Sequence, residues 1–130
     1  ELGTAQESLV RELMRHFKGQ TVHEEVFHTQ REVTLPVFQE VKADISPDGQ
    51  IELDAIGEGQ ERWVVEVKWR NKRTGSKELE KLLMHAKERK ARAWFVSRSG
   101  FSADAIKYAI ENEILITDKY GLEILRKQIL

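Results

Sequence analysis

The sequence has no cysteine, only two prolines, and no apolar run close to the roughly 20 residues that a membrane-spanning helix needs. Without cysteine the chain cannot use a thiol nucleophile, a cysteine zinc site or a disulfide framework. A reducing cytoplasmic compartment is therefore expected. No secretory pattern stands at the start of the sequence, so we expect no membrane partner.

The composition is typical of a globular domain. The chain has 130 residues, of which 40% are hydrophobic and 33% are charged, and these values favour one soluble domain over residues 1–130. A chain of this length buries about two thirds of its unfolded surface, enough for a stable core without disulfides. Because the sequence begins at Glu1 rather than methionine, we expect a trimmed chain or a piece of a longer protein with further domains.

Charge is unevenly distributed along the chain. The formal net charge is -1, yet the segment from Glu66 to Arg98 carries eleven Lys or Arg residues and four Glu residues. A local basic excess suits binding to a phosphate backbone, since each neutralised phosphate releases counterions. A solvated helix face would show the same pattern. Charge alone therefore leaves both interpretations open.

Periodicity and turn residues predict an α/β domain. The first helix spans "TAQESLVRELMRHFKG", residues 4–19, with Gly19 at its end. Later helices are expected around "SKELEKLLMHAKERK", with Ser76 as N-cap, after Ser102 as N-cap, and at the C-terminus. Strands are expected within 21–42, at 50–57, at 62–70, around 91–99 and at 114–117, with a turn at 46–50. The order α-β-β-β-α-β-α-β predicts a mixed sheet, antiparallel at its start, with helices on both faces.

Charged residues fall on two strands that otherwise look like sheet core. If these strands fold back about a turn near Gln60, Asp54 lies opposite Glu66, and the other face of the hairpin is apolar. Opposed side chains in a hairpin have Cβ atoms about 4.5–5.5 Å apart, so the two carboxylates repel unless a cation separates them. Lys68 or a divalent ion such as Mg²⁺ could relieve this repulsion. On this argument, removing either carboxylate should barely change stability. Alternating charge on a solvent-exposed sheet face is the other interpretation.

These residues and their surroundings resemble the PD-(D/E)XK nuclease superfamily, and within it the Mrr-type restriction endonucleases and the archaeal Holliday-junction resolvases. "GTAQESLVRELM" is similar to the family's opening helix, "ELDAIG" to the strand bearing Asp, and "VVEVKWR" to the strand bearing Glu-x-Lys. "AWFVSRSGFSADAIKYAIENEILITD" is similar to the Mrr-type tail. A Gly-Asp-Gly run and a proline before Asp54 are missing, and residues 21–45 match no part of the pattern. The resemblance implies a restriction-endonuclease-like three-layer α-β-α fold with a central mixed sheet.

The resemblance also implies a Mg²⁺-dependent endodeoxyribonuclease that hydrolyses DNA phosphodiester bonds. Asp54 and Glu66 would bind Mg²⁺ or Mn²⁺, with the backbone carbonyl of Val67 as a further ligand. Lys68 would orient or help deprotonate the attacking water and stabilise charge on the phosphate. Glu7 matches the carboxylate of the opening helix, although a capping box with Thr4 explains it equally well.

Binding residues and partners follow from the same comparison. Basic side chains just after the Glu-x-Lys strand would hold DNA phosphates: Arg70, Lys72, Arg73 and Lys77. A homodimer is expected, because cutting both strands needs two sites. The alternative function is a non-catalytic DNA-binding or assembly module that has this fold within a larger protein. The three tryptophans, Trp63, Trp69 and Trp94, could stack on bases, but their strand positions favour the core.

Overall fold

The computed structural model describes residues 2–29, 31–45 and 52–130. Its helices are α1 (Leu2–Arg15), α2 (Ser76–Glu88), α3 (Ala103–Glu111) and α4 (Lys119–Ile129). Its strands are β1 (Thr21–Val22), β2 (Val33–Thr34), β3 (Phe38–Ile45), β4 (Glu52–Gly59), β5 (Arg62–Lys68), β6 (Arg92–Ser97) and β7 (Leu115–Thr117). None of the helices in these ranges is both long and apolar enough to cross a bilayer.

A five-stranded mixed sheet forms the centre of the fold, with strand order β3-β4-β5-β6-β7. Strands β3, β4 and β5 form an antiparallel meander, whereas β5, β6 and β7 run parallel. Parallel neighbours need a crossover, and α2 and α3 supply the two crossovers. This topology confirms the predicted α/β class and the predicted mixed sheet. The small antiparallel pair β1–β2 lies outside the main sheet.

The sheet separates two apolar layers. On one face α1 and α4 pack over a cluster that includes Leu13, Phe17, Trp63, Trp94 and Leu125. On the other face α2 and α3 cover a second cluster. Trp63 and Trp94 are fully buried and meet edge to face, with ring centroids 5.9 Å apart. These two tryptophans therefore belong to the core, as their strand positions favoured, while Trp69 is half-buried at the margin of the first cluster.

Two predicted helix caps are wrong and one is confirmed. Ser76 is the first residue of α2, and Gly75 is the N-cap, because the Glu78 carboxylate folds back to accept the Gly75 N–H at 3.4 Å. Thr4 lies inside α1, which begins at Leu2, so a Thr4 capping box does not start this helix. Ser102 does cap α3, since its Oγ accepts the Ala105 N–H at 3.1 Å. The predicted turn at 46–50 lies outside the described residues.

Candidate active site

The predicted hairpin register between β4 and β5 is confirmed. Ala55 pairs with Val65 and Ile56 pairs with Val64, so that Asp54 and Glu66 occupy the next opposed positions. Within the described residues, backbone pairing of these strands ends at Ala55 and Val65. The two carboxylates therefore lie just where the ladder opens, at the carboxyl end of β5.

A β-bulge on β4 sets the direction of the Asp54 side chain. On β3, Lys42 pairs with Ile56 and Asp44 pairs with Leu53, which leaves Asp54 and Ala55 together opposite a single residue. A bulge of this kind bends the strand and re-aims the side chain that it carries. The alternating charge pattern could not reveal the bulge, because it arises from pairing with β3 rather than with β5.

Asp54 is buried and bonded on both its side chain and its backbone. Only 7% of the residue is exposed to solvent. Asp54 Oδ2 accepts the Val67 N–H at 2.7 Å, and the Asp54 carbonyl accepts Arg11 Nη1 of α1 at 2.7 Å. A carboxylate that accepts a buried backbone N–H is held in one orientation, because both groups have left water and need each other. Asp54 is thus fixed against Val67.

Glu66 and Lys68 form an ion pair on the same face of β5. Lys68 Nζ lies 3.0 Å from Glu66 Oε2, and the two side chains are 41% and 20% exposed, respectively. Burial lowers the pKa of Lys68, but the charges of Glu66 and Asp54 raise it by more, so its pKa lies above the ordinary value for lysine. Lys68 is therefore an ammonium ion at neutral pH. In this state it can attract and orient an anionic phosphate, and its part in deprotonating the attacking water stays a prediction.

The donor set suits a hard divalent cation. Asp54 and Glu66 supply two carboxylates, and Val67, which lies between Glu66 and Lys68, supplies a backbone carbonyl. Mg²⁺ is commonly bound by one or two carboxylates while it keeps several waters. The described part of the chain holds no group of three or more His, Cys, Asp or Glu side chains able to bind a metal. A metal here would therefore depend on these two carboxylates, the backbone and water.

Helix α1 brings Glu7 to the same side of the molecule. Arg11 reaches the Asp54 carbonyl, and Phe17, two residues after the end of α1, packs on Trp63 near the start of β5, with ring centroids 5.7 Å apart. Helix α1 therefore runs opposite to β5. Glu7 is half-buried and lies one turn before Arg11 on the same helix face, toward the Asp54 end of the sheet. Its catalytic role stays a prediction.

The basic loop after β5 is firmly anchored. Arg70 Nη2 donates to both oxygens of Glu78 in α2, at 2.7 and 2.6 Å, and Ser99 Oγ donates to the Arg70 carbonyl at 2.6 Å. Deeper in the fold, Thr74 Oγ1 donates to Ser97 Oγ at 2.9 Å. Arg70 therefore has an internal partner, which the run of basic residues in the sequence did not indicate. Its contact with phosphate stays a prediction.

The other three predicted phosphate contacts lie around this anchored loop. Lys72 and Arg73 lie within it, Lys77 lies in the first turn of α2, and all three side chains are exposed.

The sequence analysis did not identify Arg11, whose hydrogen bond to the Asp54 carbonyl ties α1 to the bulged strand. The sequence spacing could have indicated it, because Arg11 follows Glu7 by four residues and therefore lies on the same face of the helix.

Comparison with known proteins gives a consistent result. A family profile described as "Restriction endonuclease", of the Mrr catalytic type, matches residues 38–125, from the start of β3 into α4. The structure is similar to that of AF1548, a protein of unknown function, with a TM-score of 0.65 and 22% sequence identity. It is also similar to the DNA modification-dependent restriction endonuclease AspBHI, with a TM-score of 0.57 and 17% identity. No curated protein matches the sequence.

These likenesses extend over nearly all of this chain but over only part of the other proteins. The alignment with AF1548 covers 98% of this chain and 66% of AF1548. The alignment with AspBHI covers 97% of this chain and 31% of AspBHI. At these identities the likeness to solved structures shows a shared fold, and it agrees with the three-layer architecture predicted from the sequence.

Proposed function

Because the chain belongs to the Mrr-type restriction endonuclease family, we propose that it is a metal-dependent endonuclease that hydrolyses DNA phosphodiester bonds. One observation carries this proposal: Asp54, Glu66 and Lys68 converge where β4 and β5 separate, with Asp54 bonded to Val67 and Lys68 bonded to Glu66. Burying the Asp54 charge requires compensating partners, and the Val67 N–H is one of them.

Each side chain has a task in the proposed reaction. Lys68, as an ammonium ion, would contact a non-bridging oxygen of the scissile phosphate and stabilise the charge that builds there. Asp54, held by the Val67 N–H, would keep one carboxylate oxygen directed into the site. Glu66 would change partners when substrate arrives, because its present contact is the lysine that the phosphate would attract. Glu7 would support the site from α1.

Mg²⁺ or Mn²⁺, when bound, would polarise the phosphoryl oxygen and lower the pKa of a water nucleophile. Asp54, Glu66 and the Val67 carbonyl would hold the ion. The exposed cations Lys72, Arg73 and Lys77, together with Arg70, would place the DNA backbone along the loop after β5. Their charge would steer DNA toward the site in a salt-dependent way.

The decisive experiment measures DNA cleavage. The purified chain is incubated with supercoiled plasmid and with linear and branched duplexes, in Mg²⁺, Mn²⁺ or EDTA. We expect metal-dependent nicking that falls by at least about 100-fold in Glu66→Gln and in Lys68→Met, as for loss of a group that stabilises transition-state charge. Glu58→Gln is the matched control, because Glu58 is also a strand carboxylate in an ion pair, with Arg62, but lies at the opposite end of β4.

Retained nicking in Glu66→Gln would assign the activity to a contaminant or to another site. Salt-sensitive DNA binding without cleavage in any metal would support the non-catalytic module instead. The same preparation tests the proposed homodimer by light scattering, since double-strand cleavage by one assembly needs two copies of the site.

A further inference from the structure

A cleft lies at the carboxyl edge of the three parallel strands, next to the candidate active site. It has a volume of about 190 Å³, and its lining comes from the segments that follow β5, β6 and β7: Asn71, Arg98, Ser99, Asp118, Lys119 and Tyr120. In open α/β sheets this edge is where ligands commonly bind. We propose that this cleft holds one unpaired nucleotide of the DNA substrate, close to the phosphate that is cleaved. This inference rests on the proposed function and specifies the substrate as DNA that has an unpaired nucleotide near the cleaved phosphate.

The cleft is close enough to Lys68 for one DNA strand to reach both. The Arg98 N–H donates to the Lys68 carbonyl at 3.1 Å, so one wall of the cleft adjoins the catalytic strand. The far wall begins after β7, two strand spacings from β5, which is about 10 Å. This distance corresponds to about three base steps of a duplex at 3.4 Å each.

The cleft offers cations that are not neutralised within the described residues. Arg98 Nη1 bonds the neutral side-chain oxygen of Asn71. In that part of the chain no carboxylate lies within ion-pair distance of Arg98 or Lys119. Asp118 serves its own helix, since its Oδ1 accepts the N–H groups of Tyr120 and Gly121 at 3.0 and 2.9 Å. Arg98 and Lys119 are therefore available to a phosphate.

Tyr120 supplies a surface for stacking. It is 69% exposed and so is the most exposed of the large hydrophobic side chains in the described ranges. Lys119 Nζ lies over the ring at 5.1 Å from its centroid. An exposed aromatic ring beside cations is the arrangement that binds single-stranded nucleic acids, because every base has a face that can stack. Intact duplex DNA keeps those faces covered, so the proposed partner of Tyr120 is an unpaired base.

Binding measured in EDTA tests this proposal without cleavage. The probes are a labelled duplex and the same duplex interrupted by a short single-stranded gap. Tyr120→Ala should weaken binding to the gapped duplex by about 5- to 100-fold and leave binding to the intact duplex nearly unchanged. Tyr120→Phe keeps the ring and should bind both probes like the wild type. Lys119→Gln should lower the salt slope by about one, whereas Lys127→Gln, two turns further along α4, should leave it unchanged.

Equal affinity of Tyr120→Ala and the wild type for the gapped duplex would overturn the proposal, as would an equal loss on both probes. A changed oligomeric state in Tyr120→Ala would also overturn it and assign the ring, together with Ile124 on the same helix face, to a protein contact. Tyr120-dependent binding without nicking would leave the cleft standing while the nuclease fails. Nicking together with binding that does not depend on Tyr120 would support the nuclease and overturn the proposed cleft. A chain that binds neither probe would refute both the nuclease and the cleft.

Discussion

Asp54 has a structural role in addition to its proposed catalytic one. The opposed charges of Asp54 and Glu66 predict that removing either carboxylate hardly changes stability. For Asp54 the structure contradicts this, because Asp54 is the acceptor for the buried Val67 N–H. Asp54→Ala should lower the free energy of unfolding by about 1–3 kcal/mol, since a buried donor loses its acceptor. Urea unfolding of the metal-free chain measures this loss.

Two variants separate the hydrogen bond from the charge. Asp54→Asn keeps an acceptor oxygen and should lose less stability than Asp54→Ala. Glu66→Ala removes a partly exposed ion pair, which is worth about 1 kcal/mol or less. If Asp54→Ala is as stable as the wild type, the Val67 N–H has no need of the carboxylate and Asp54 acts in the chemistry alone.

At the scale of an element, the helix caps give a matched pair of predictions. Ser102 caps α3 through its side chain, whereas Ser76 lies one residue inside α2. Ser102→Ala should therefore cost about 0.5–2 kcal/mol, the usual price of a lost N-cap. Ser76→Ala should be close to neutral, because alanine is a better helix former than serine. Thermal unfolding of both variants is the measurement, and an equal loss in both would contradict the assigned start of α2.

The Arg70–Glu78 pair ties the basic loop to α2 and should respond to acid. Burial raises the pKa of Glu78, but the hydrogen bond and charge of Arg70 lower it by more, so the net pKa is below the ordinary glutamate value. A carboxyl with a lowered folded-state pKa stabilises the fold above its ordinary pKa, and this contribution disappears as the pH falls through the lower value.

Glu78→Gln should accordingly be less stable than the wild type near neutral pH, by about 1 kcal/mol or less, since both side chains of the pair are about one third exposed and water screens them. As the pH falls below the ordinary glutamate pKa, the difference should shrink. Urea unfolding at several pH values gives the comparison, with Glu80→Gln on the exposed face of α2 as control. If the difference in the free energy of unfolding between Glu78→Gln and the wild type does not change with pH, the hydrogen bond stabilises the fold and the charge does not.

For the whole molecule, patterns of local origin were predictable and contacts between distant segments were not. Helix stripes, the strand alternation and the β4–β5 register follow from residue periodicity, and so the sheet, its flanking helices and the place of Asp54 opposite Glu66 were available from the sequence. The bulge was not available, because it depends on how β3 pairs with β4. The Arg70–Glu78 pair was missed for a related reason, since a basic run shows charge but not partners.

A chain of buried hydrogen bonds shows which contacts the sequence pattern could not predict. Trp94 Nε1 donates to Thr117 Oγ1 at 2.8 Å, and Thr117 Oγ1 donates in turn to the Val26 carbonyl at 2.8 Å. Val26 and Thr117 are 91 residues apart, so no local pattern could pair them. Residues 21–37, which precede the part of the chain that the family profile matches, include this carbonyl and thereby help to close one face of the sheet.

The outer strand of the meander has a further consequence. Among the described residues, strand β3 lies at the end of the sheet order and pairs with β4, two bulges interrupt that pairing, and the Val41 carbonyl accepts Arg15 Nη2 at 3.1 Å. Glu40 and Lys42 add exposed charge of both signs along it. An open, flat edge recruits strands from neighbouring chains and leads to aggregation, whereas bulges and charges discourage it. The sheet is thereby protected against edge-to-edge growth when many copies of the chain are crowded together.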